Sequence, residues 1–263
     1  MIYIMDAGAK CLLYCIKLLL FLISIVNYES ASAQGLFQLN NKCTIPVWVG
    51  TQSNAGQPVL GDANVALEPG MSATVATPPG WAGRFWGRTG CTFDSTTGQG
   101  TCLTGDCGGE LQCSGVGGDP PATLAEFTLF GADGLDFYDV SLVDGYNLPL
   151  AVAPTTPPIN PELSSDYSCG SAGCTGDLNE NCPTELQVLG SGGQVVGCRS
   201  ACSAFGTPEY CCTGDFGSPT TCLPTSFSQA FKSACPRAYS YAYDDASSTF
   251  TCVGSSYILT FCP

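Results

Sequence analysis

The side chains of this chain that are equipped for chemistry are carboxylates and cysteines. No histidine occurs among its 263 residues, which removes the commonest general base and the commonest metal ligand together. Ser-His-Asp and Cys-His catalysis, Cys/His zinc sites and histidine-ligated haem are therefore excluded. Glycoside hydrolysis needs no histidine. Two carboxyl groups suffice, one protonated as acid and one ionised as nucleophile or base. Glu126 in "TLAEFTLF" and Asp139 in "LDFYDVSLV" lie on two strand-like segments joined by "GADG", which a hairpin sets side by side. Side chains alternate along a strand. Glu126 therefore faces away from Phe127 and Leu129, while Asp139 shares a face with Phe137, an unusual place for a merely solvated carboxylate. By the same alternation "GRFWGRT" puts Arg84, Trp86 and Arg88 on one face and Phe85 on the other. Clustered carboxylates repel, which raises at least one pKa and supplies a protonated partner.

The cysteines read differently. "TCLTGDCGGELQC", Thr101–Cys113, packs three of them around an acidic, glycine-rich centre, and a metal knuckle, a redox pair and a structural staple must be weighed. The spacing is not that of a paired C-x₂-C zinc array, and the stretch holds no C-x-x-C. Compartment decides for the staple. Lys10 and Lys17, the apolar run Leu18–Val26 and the small-residue exit Ala31-Ser32-Ala33 form an export signal with cleavage after Ala33. The opposing assignment, a membrane anchor, needs about 20 apolar residues, more than the run provides. Removing 1–33 takes Cys11 and Cys15 from the 18 cysteines and leaves sixteen, an even number suited to eight bridges in an oxidising compartment.

These residues need a scaffold. "GLFQLNN", "IPVWVGTQ" and "SATVATP" are short runs rich in Val, Thr and aromatics, broken by Gly, Pro, Asn and Asp, and read as strands of a sandwich or barrel. "STFTCVGSSYILTFCP" returns to strand composition at the far end and is expected to join the first sheet. Between Cys174 and Cys235 eight cysteines accompany little apolar periodicity, so bridges must replace much of the core. One helix is expected in "TSFSQAFKSAC", with Phe227, Ala230, Phe231 and Ala234 on one face, Thr225 or Ser226 as cap and Pro236 as terminator. "PTELQVLG" suggests a second, shorter helix with Pro183 in its first turn. The net charge of −14 leaves no electrostatic footprint for nucleic acid and disfavours anionic membranes, so neutral ligands such as glycans stay open.

Taken together these segments resemble the thaumatin-like proteins. "GQGTCLTGDCGGELQC", Gly98–Cys113, fits the family signature G-x-G-x-C-x-T-G-D-C-x-G-x₃-C, and the resemblance continues through "FWGRTGC", "PPATLAEFTLFG", "DFYDVSLVDGYNLP", "EYCCTG", "CPRAYSYAYDD" and the closing "FCP". It implies a mainly β protein: a flattened β-sandwich (about 34–88, 121–175 and 236–263), a disulfide-rich second lobe with short helices (about 176–235) and a small looped third lobe (about 89–120). It implies the pairing Cys43–Cys262, Cys91–Cys102, Cys107–Cys113, Cys169–Cys252, Cys174–Cys235, Cys182–Cys198, Cys202–Cys211 and Cys212–Cys222, which spacing alone does not give.

The family's acidic cleft carries over to Arg84 with Arg88 beside it, Glu126, Asp139, Asp144 and one of Asp244 and Asp245; which of that pair points inward stays open. The implied function is secreted, extracellular plant defence of the pathogenesis-related, antifungal kind. Its cleft would bind β-1,3-glucan in fungal walls, with or without weak endo-hydrolysis, and the protein would be a monomer needing no cofactor and no metal. If the cleft hydrolyses, Glu126 is assigned the acid, for its longer reach and higher starting pKa. Asp139 is then nucleophile or base, and the remaining Asp residues tune them. Trp86 and Tyr138 are candidate stacking platforms for sugars, against the commoner role of strand aromatics as core. The alternative is a noncatalytic module, an inhibitor of a foreign enzyme or a receptor ligand, in which Arg84 and the carboxylates form a structural network and Asp144 is a turn residue.

Overall fold

The computed structural model describes residues 35–156 and 168–263. The expected export segment, with Cys11 and Cys15, lies outside the described residues. In chain order the strands are β1 (Gly35–Asn41), β2 (Val47–Ser53), β3 (Ala66–Leu67), β4 (Ser72–Thr77), β5 (Ala82–Arg88), β6 (Thr92–Phe93), β7 (Gly100–Thr101), β8 (Leu124–Thr128), β9 (Asp136–Ser141), β10 (Leu150–Pro154), β11 (Ala172–Cys174), β12 (Gln187–Leu189), β13 (Val195–Cys198), β14 (Phe250–Cys252) and β15 (Tyr257–Phe261). The α-helices are α1 (Ala201–Phe205), α2 (Pro208–Cys211) and α3 (Ser226–Ala234).

Two sheets carry the fold. One has five strands in the order β11-β10-β15-β1-β4, the other six in the order β14-β9-β8-β5-β2-β3. Strands β1 and β9 bury alternate residues along most of their length, as expected where one face of a sheet packs on the other, whereas β5 is buried on both faces at its far end. In β1, Phe37 and Leu39 are buried while Leu36 and Gln38 are exposed. Phe37 and Tyr257 from the five-stranded sheet meet Phe85 and Phe127 from the six-stranded one, with Phe37 and Phe127 ring centres 4.7 Å apart and Phe127 and Tyr257 5.1 Å apart. The expected return of the last strand is present: β15 runs parallel to β1, Phe37 opposite Tyr257 and Phe261 opposite Asn41.

The sixteen described cysteines form eight bridges in the pairing of the resemblance: 43–262, 91–102, 107–113, 169–252, 174–235, 182–198, 202–211 and 212–222. Removing a native bridge typically costs about 2–5 kcal/mol. In the cysteine-rich stretch the expected helix is α3. Thr225 caps it by accepting from the Ser228 amide at 3.3 Å, while Ser228 Oγ accepts from the Thr225 amide at 2.8 Å; Phe231 is the side chain it buries deepest. The second expected helix does not form. "PTELQVLG" makes one 3₁₀ turn at Thr184–Leu186 and then becomes β12, which pairs with β13. Strand pairing satisfies more backbone groups than a helix of so few residues, most of whose amides and carbonyls would be orphaned at its ends.

Candidate functional site

The outer face of the six-stranded sheet positions the site. Register places Gln52 opposite Arg84, Arg84 opposite Glu126, and Glu126 opposite Asp139. Four polar side chains thus form one row across β2, β5, β8 and β9. Two acids directly opposed on an antiparallel pair are destabilising, so the sheet tolerates an unfavourable contact here. Arg84 relieves part of it: its Nη2 lies 3.4 Å from Glu126 Oε1, with about a third of each side chain exposed. Arg84 Nε and Asp139 Oδ1 are buried and have no hydrogen-bond partner among the described residues. Buried polar atoms are rarely left so.

A shallow hollow of about 210 Å³ opens on this row, lined by Arg84, Glu126, Asp139, Asn54, Thr128 and Phe137. It is smaller than the roughly 300 Å³ needed to enclose a drug-sized ligand, so it suits part of a long molecule. Burial pushes the Glu126 pKa up, with Arg84 opposing and Asp144 adding to the rise. The rise is greater at Asp139: burial pushes its carboxyl well above the ordinary range, and repulsion from Glu126 and Asp245 outweighs the pull of Arg84. Both carboxyls are thus raised by burial; Arg84 draws each partly back, and the rise that remains is the larger at Asp139.

The other candidates separate clearly. Asp144 lies half-buried in the turn after β9, near enough to raise the Glu126 pKa. Asp244 does not serve the hollow. Its Oδ2 accepts from Lys232 Nζ at 2.9 Å and from the Ser240 amide and hydroxyl, and its Oδ1 accepts from Ser247 Oγ. Burial works to raise its pKa, but these donors hold it below the usual value. Asp245 lies near enough to add to the rise at Asp139; it accepts from Tyr239 OH at 2.9 Å, and that hydroxyl is 2.5 Å from Thr249 Oγ1. Tyr239 had no signal in the sequence, since only the pairing of distant segments brings it here.

Arg88 is not in the hollow. It is fully buried beneath the looped stretch that follows β5. Its Nη1 donates to the Glu110 carbonyl at 2.9 Å, its Nη2 to that of Leu111 at 2.8 Å, and its guanidinium lies over the Phe93 ring. Burial lowers its pKa to about 10, against the opposing attraction of Asp106. Neither candidate platform faces solvent. Trp86 packs with Cys107, Cys113, Ala122 and Leu124 and donates to the Gly105 carbonyl; Tyr138 is core, stacked near Phe250, with its hydroxyl on the Gly170 carbonyl. A second hollow, walled by Tyr210, Phe227 and Phe231 in the cysteine-rich stretch, holds one carboxylate, Glu209, and no cation.

Fold and site together define a cystine-stapled β-sandwich with a paired-carboxylate hollow on its larger sheet. Residues 41–263 match the family described as Thaumatin family, and the chain belongs to it. It is 56% identical over 228 residues to "Pathogenesis-related thaumatin-like protein 3.5" of Cryptomeria japonica, covering 87% of this chain and 90% of that one. It is 46% identical to "Glucan endo-1,3-beta-glucosidase" of Prunus avium, covering 92% and 95%. Among solved structures, a GH family 64 laminaripentaose-producing beta-1,3-glucanase from Paenibacillus barengoltzii aligns with a TM-score of 0.55 at 13% identity, over 88% of this chain and 75% of that one, a likeness of fold alone.

Proposed function

We propose that this protein is an extracellular plant defence protein whose hollow binds a β-1,3-linked glucan and whose Asp139 and Glu126 cleave it. The observation that carries this is the row Arg84–Glu126–Asp139, in register across three strands. It sets two carboxyls side by side, one raised more strongly than the other, which suits the acid and nucleophile-or-base pair that glycoside hydrolysis requires. Asp139 donates its proton to the leaving glycosidic oxygen. Glu126, the less raised of the two and the one paired with Arg84, acts in its ionised form on the anomeric carbon directly or through a water. Asp245, oriented by Tyr239, keeps the proton on Asp139 between turnovers. Two further observations support the reading: the Prunus avium relative is named for hydrolysis of this linkage, and eight bridges suit an oxidising, extracellular setting.

The test pairs a glucan pull-down with reducing-sugar release from laminarin. Wild type should do both, and Glu126→Gln should bind while releasing at least about a hundredfold less sugar, the lower range for loss of one acid–base group. A Gln variant of full activity refutes the catalytic assignment. Binding without release by the wild type makes the hollow a lectin-like site, and absence of both refutes the glucan reading.

A further inference from the structure

We propose that Phe137 is the platform on which a sugar ring of the glucan lies, so that it decides how the polymer is placed against Asp139; this rests on the glucan reading of the hollow. The rings of Phe37, Phe85, Phe127, Tyr138 and Tyr257 point into the sandwich, where they are buried against one another. Phe137 belongs to the opposite face of β9. It is half-buried and lines the hollow with Arg84, Glu126 and Asp139. In register it stands opposite Thr128, one row beyond the Arg84–Glu126–Asp139 row. One edge of its ring is fixed by the hairpin, since a Cβ at Gly131 would come within 3.1 Å of Cδ2. The residue there is glycine, and the ring occupies the space.

Charge gives no purchase on a neutral polymer. Hydroxyls bound by carboxylates exchange one set of hydrogen bonds with water for another, with little net gain. A rigid apolar ring changes that balance, because the C–H face of a pyranose is then withdrawn from water at small entropic loss. Residues 137 and 139 are separated by about 6.8 Å along the strand, so a ring seated on Phe137 directs the adjacent linkage towards the Asp139 carboxyl. The platform role that sequence suggested for Trp86 and Tyr138 falls instead to Phe137, the neighbour of Tyr138 on β9 that lies on the outer face.

The experiment compares the full chain with Phe137→Leu and Phe137→Trp, titrated with a β-1,3-glucan hexasaccharide by calorimetry. Leu keeps the apolar contact with Thr128 and Gly131 but lacks a flat face, so affinity should fall about tenfold or more, equivalent to about 1.4 kcal/mol; Trp should bind at least as tightly as Phe. Upfield ring-current shifts of sugar protons should appear with wild type and vanish with Leu, a readout that altered stability alone would not move. A Leu variant that binds like wild type, or retains those shifts, overturns the proposal while leaving the glucan reading intact. A wild type that does not bind the hexasaccharide overturns both.

Discussion

Replacing Asp139 by Asn should stabilise the protein at neutral pH, and only there. Asp139 is directly opposite Glu126 and is pushed well above the usual carboxylate range by burial, then by Glu126 and Asp245, with Arg84 opposing. Above its unfolded-state value the free chain has already released this proton while the fold still holds it, so stability falls as pH rises through that window. Asn cannot ionise and escapes that loss. Opposed residues have Cβ atoms about 5 Å apart, and ionising both would cost roughly 3 kcal/mol at an effective dielectric of about 20, which is the upper bound on what holding the proton instead can cost. Arg84 offsets part of this and about a third of Glu126 is exposed, which leaves about 1–2 kcal/mol after solvent screening. At about 2–4 °C per kcal/mol for a chain of this size, Tm should rise by a few degrees. Thermal unfolding followed by near-ultraviolet circular dichroism at pH 3 and pH 7 measures it. At pH 3 the two proteins should coincide, since Asp139 is then protonated in both states. A variant less stable at pH 7, or equally favoured at both pH values, would refute the account of the row. The same substitution should abolish sugar release, so stability and activity would move in opposite directions, as at sites where function requires strain.

Arg88→Ala should destabilise by about 3 kcal/mol or more, because two charge-assisted bonds to the Glu110 and Leu111 carbonyls are lost beneath the looped stretch; unchanged glucan affinity in the folded fraction would separate this residue from the hollow. Asp244→Asn should have the opposite pH signature to Asp139→Asn. The Asp244 pKa is held down by Lys232, Ser240 and Ser247 against the effect of burial, so its contribution is present above the unfolded value and is lost as pH falls through the folded one. A loss of about 2 kcal/mol is expected at pH 7, less than for a fully buried pair because Lys232 is partly exposed, and the difference should close in acid; a constant difference across pH would refute it.

Where a property depends on the nearest few residues, the sequence displayed it. Alternation in "GRFWGRT" put Arg84, Trp86 and Arg88 on one face, and they are on one face. What alternation does not convey is what covers that face. Arg84 is left in the open row, while Trp86 and Arg88, two and four residues on, lie under a stretch that closes over them from Gly105 to Leu111. The hydrophobic spacing of α3 and its Thr225 cap are local, and were legible. "PTELQVLG" was not, because β13, its strand partner, settles its conformation. Alternation turned Glu126 away from the packed side and put Asp139 on the face of Phe137, but how far each carboxyl is raised depends on Arg84 lying beside Glu126 and on Asp245 lying near Asp139. The same holds for Asp244 and Asp245. Adjacent in sequence, they are divided by Lys232 and Tyr239, which reach them from separate elements.

The parallel pairing of β1 with β15, closed by the bridge from Cys43 to Cys262 across 219 residues, also has a bearing on biosynthesis. A ribosome releases Phe37 and Leu39 long before Tyr257 and Leu259, their neighbours in the middle of the five-stranded sheet. Until those late residues emerge, the nascent chain holds β1 and β4 as a two-strand fragment without the strand that joins them to β10, and such a fragment is marginal in water. The five-stranded sheet must therefore wait for residues 257–261 to emerge. Contacts this distant in sequence also place the chain among slow folders. In the interval its apolar strands are exposed to aggregation, and the cell that makes it must shield them, with the 43–262 bridge among the last able to form.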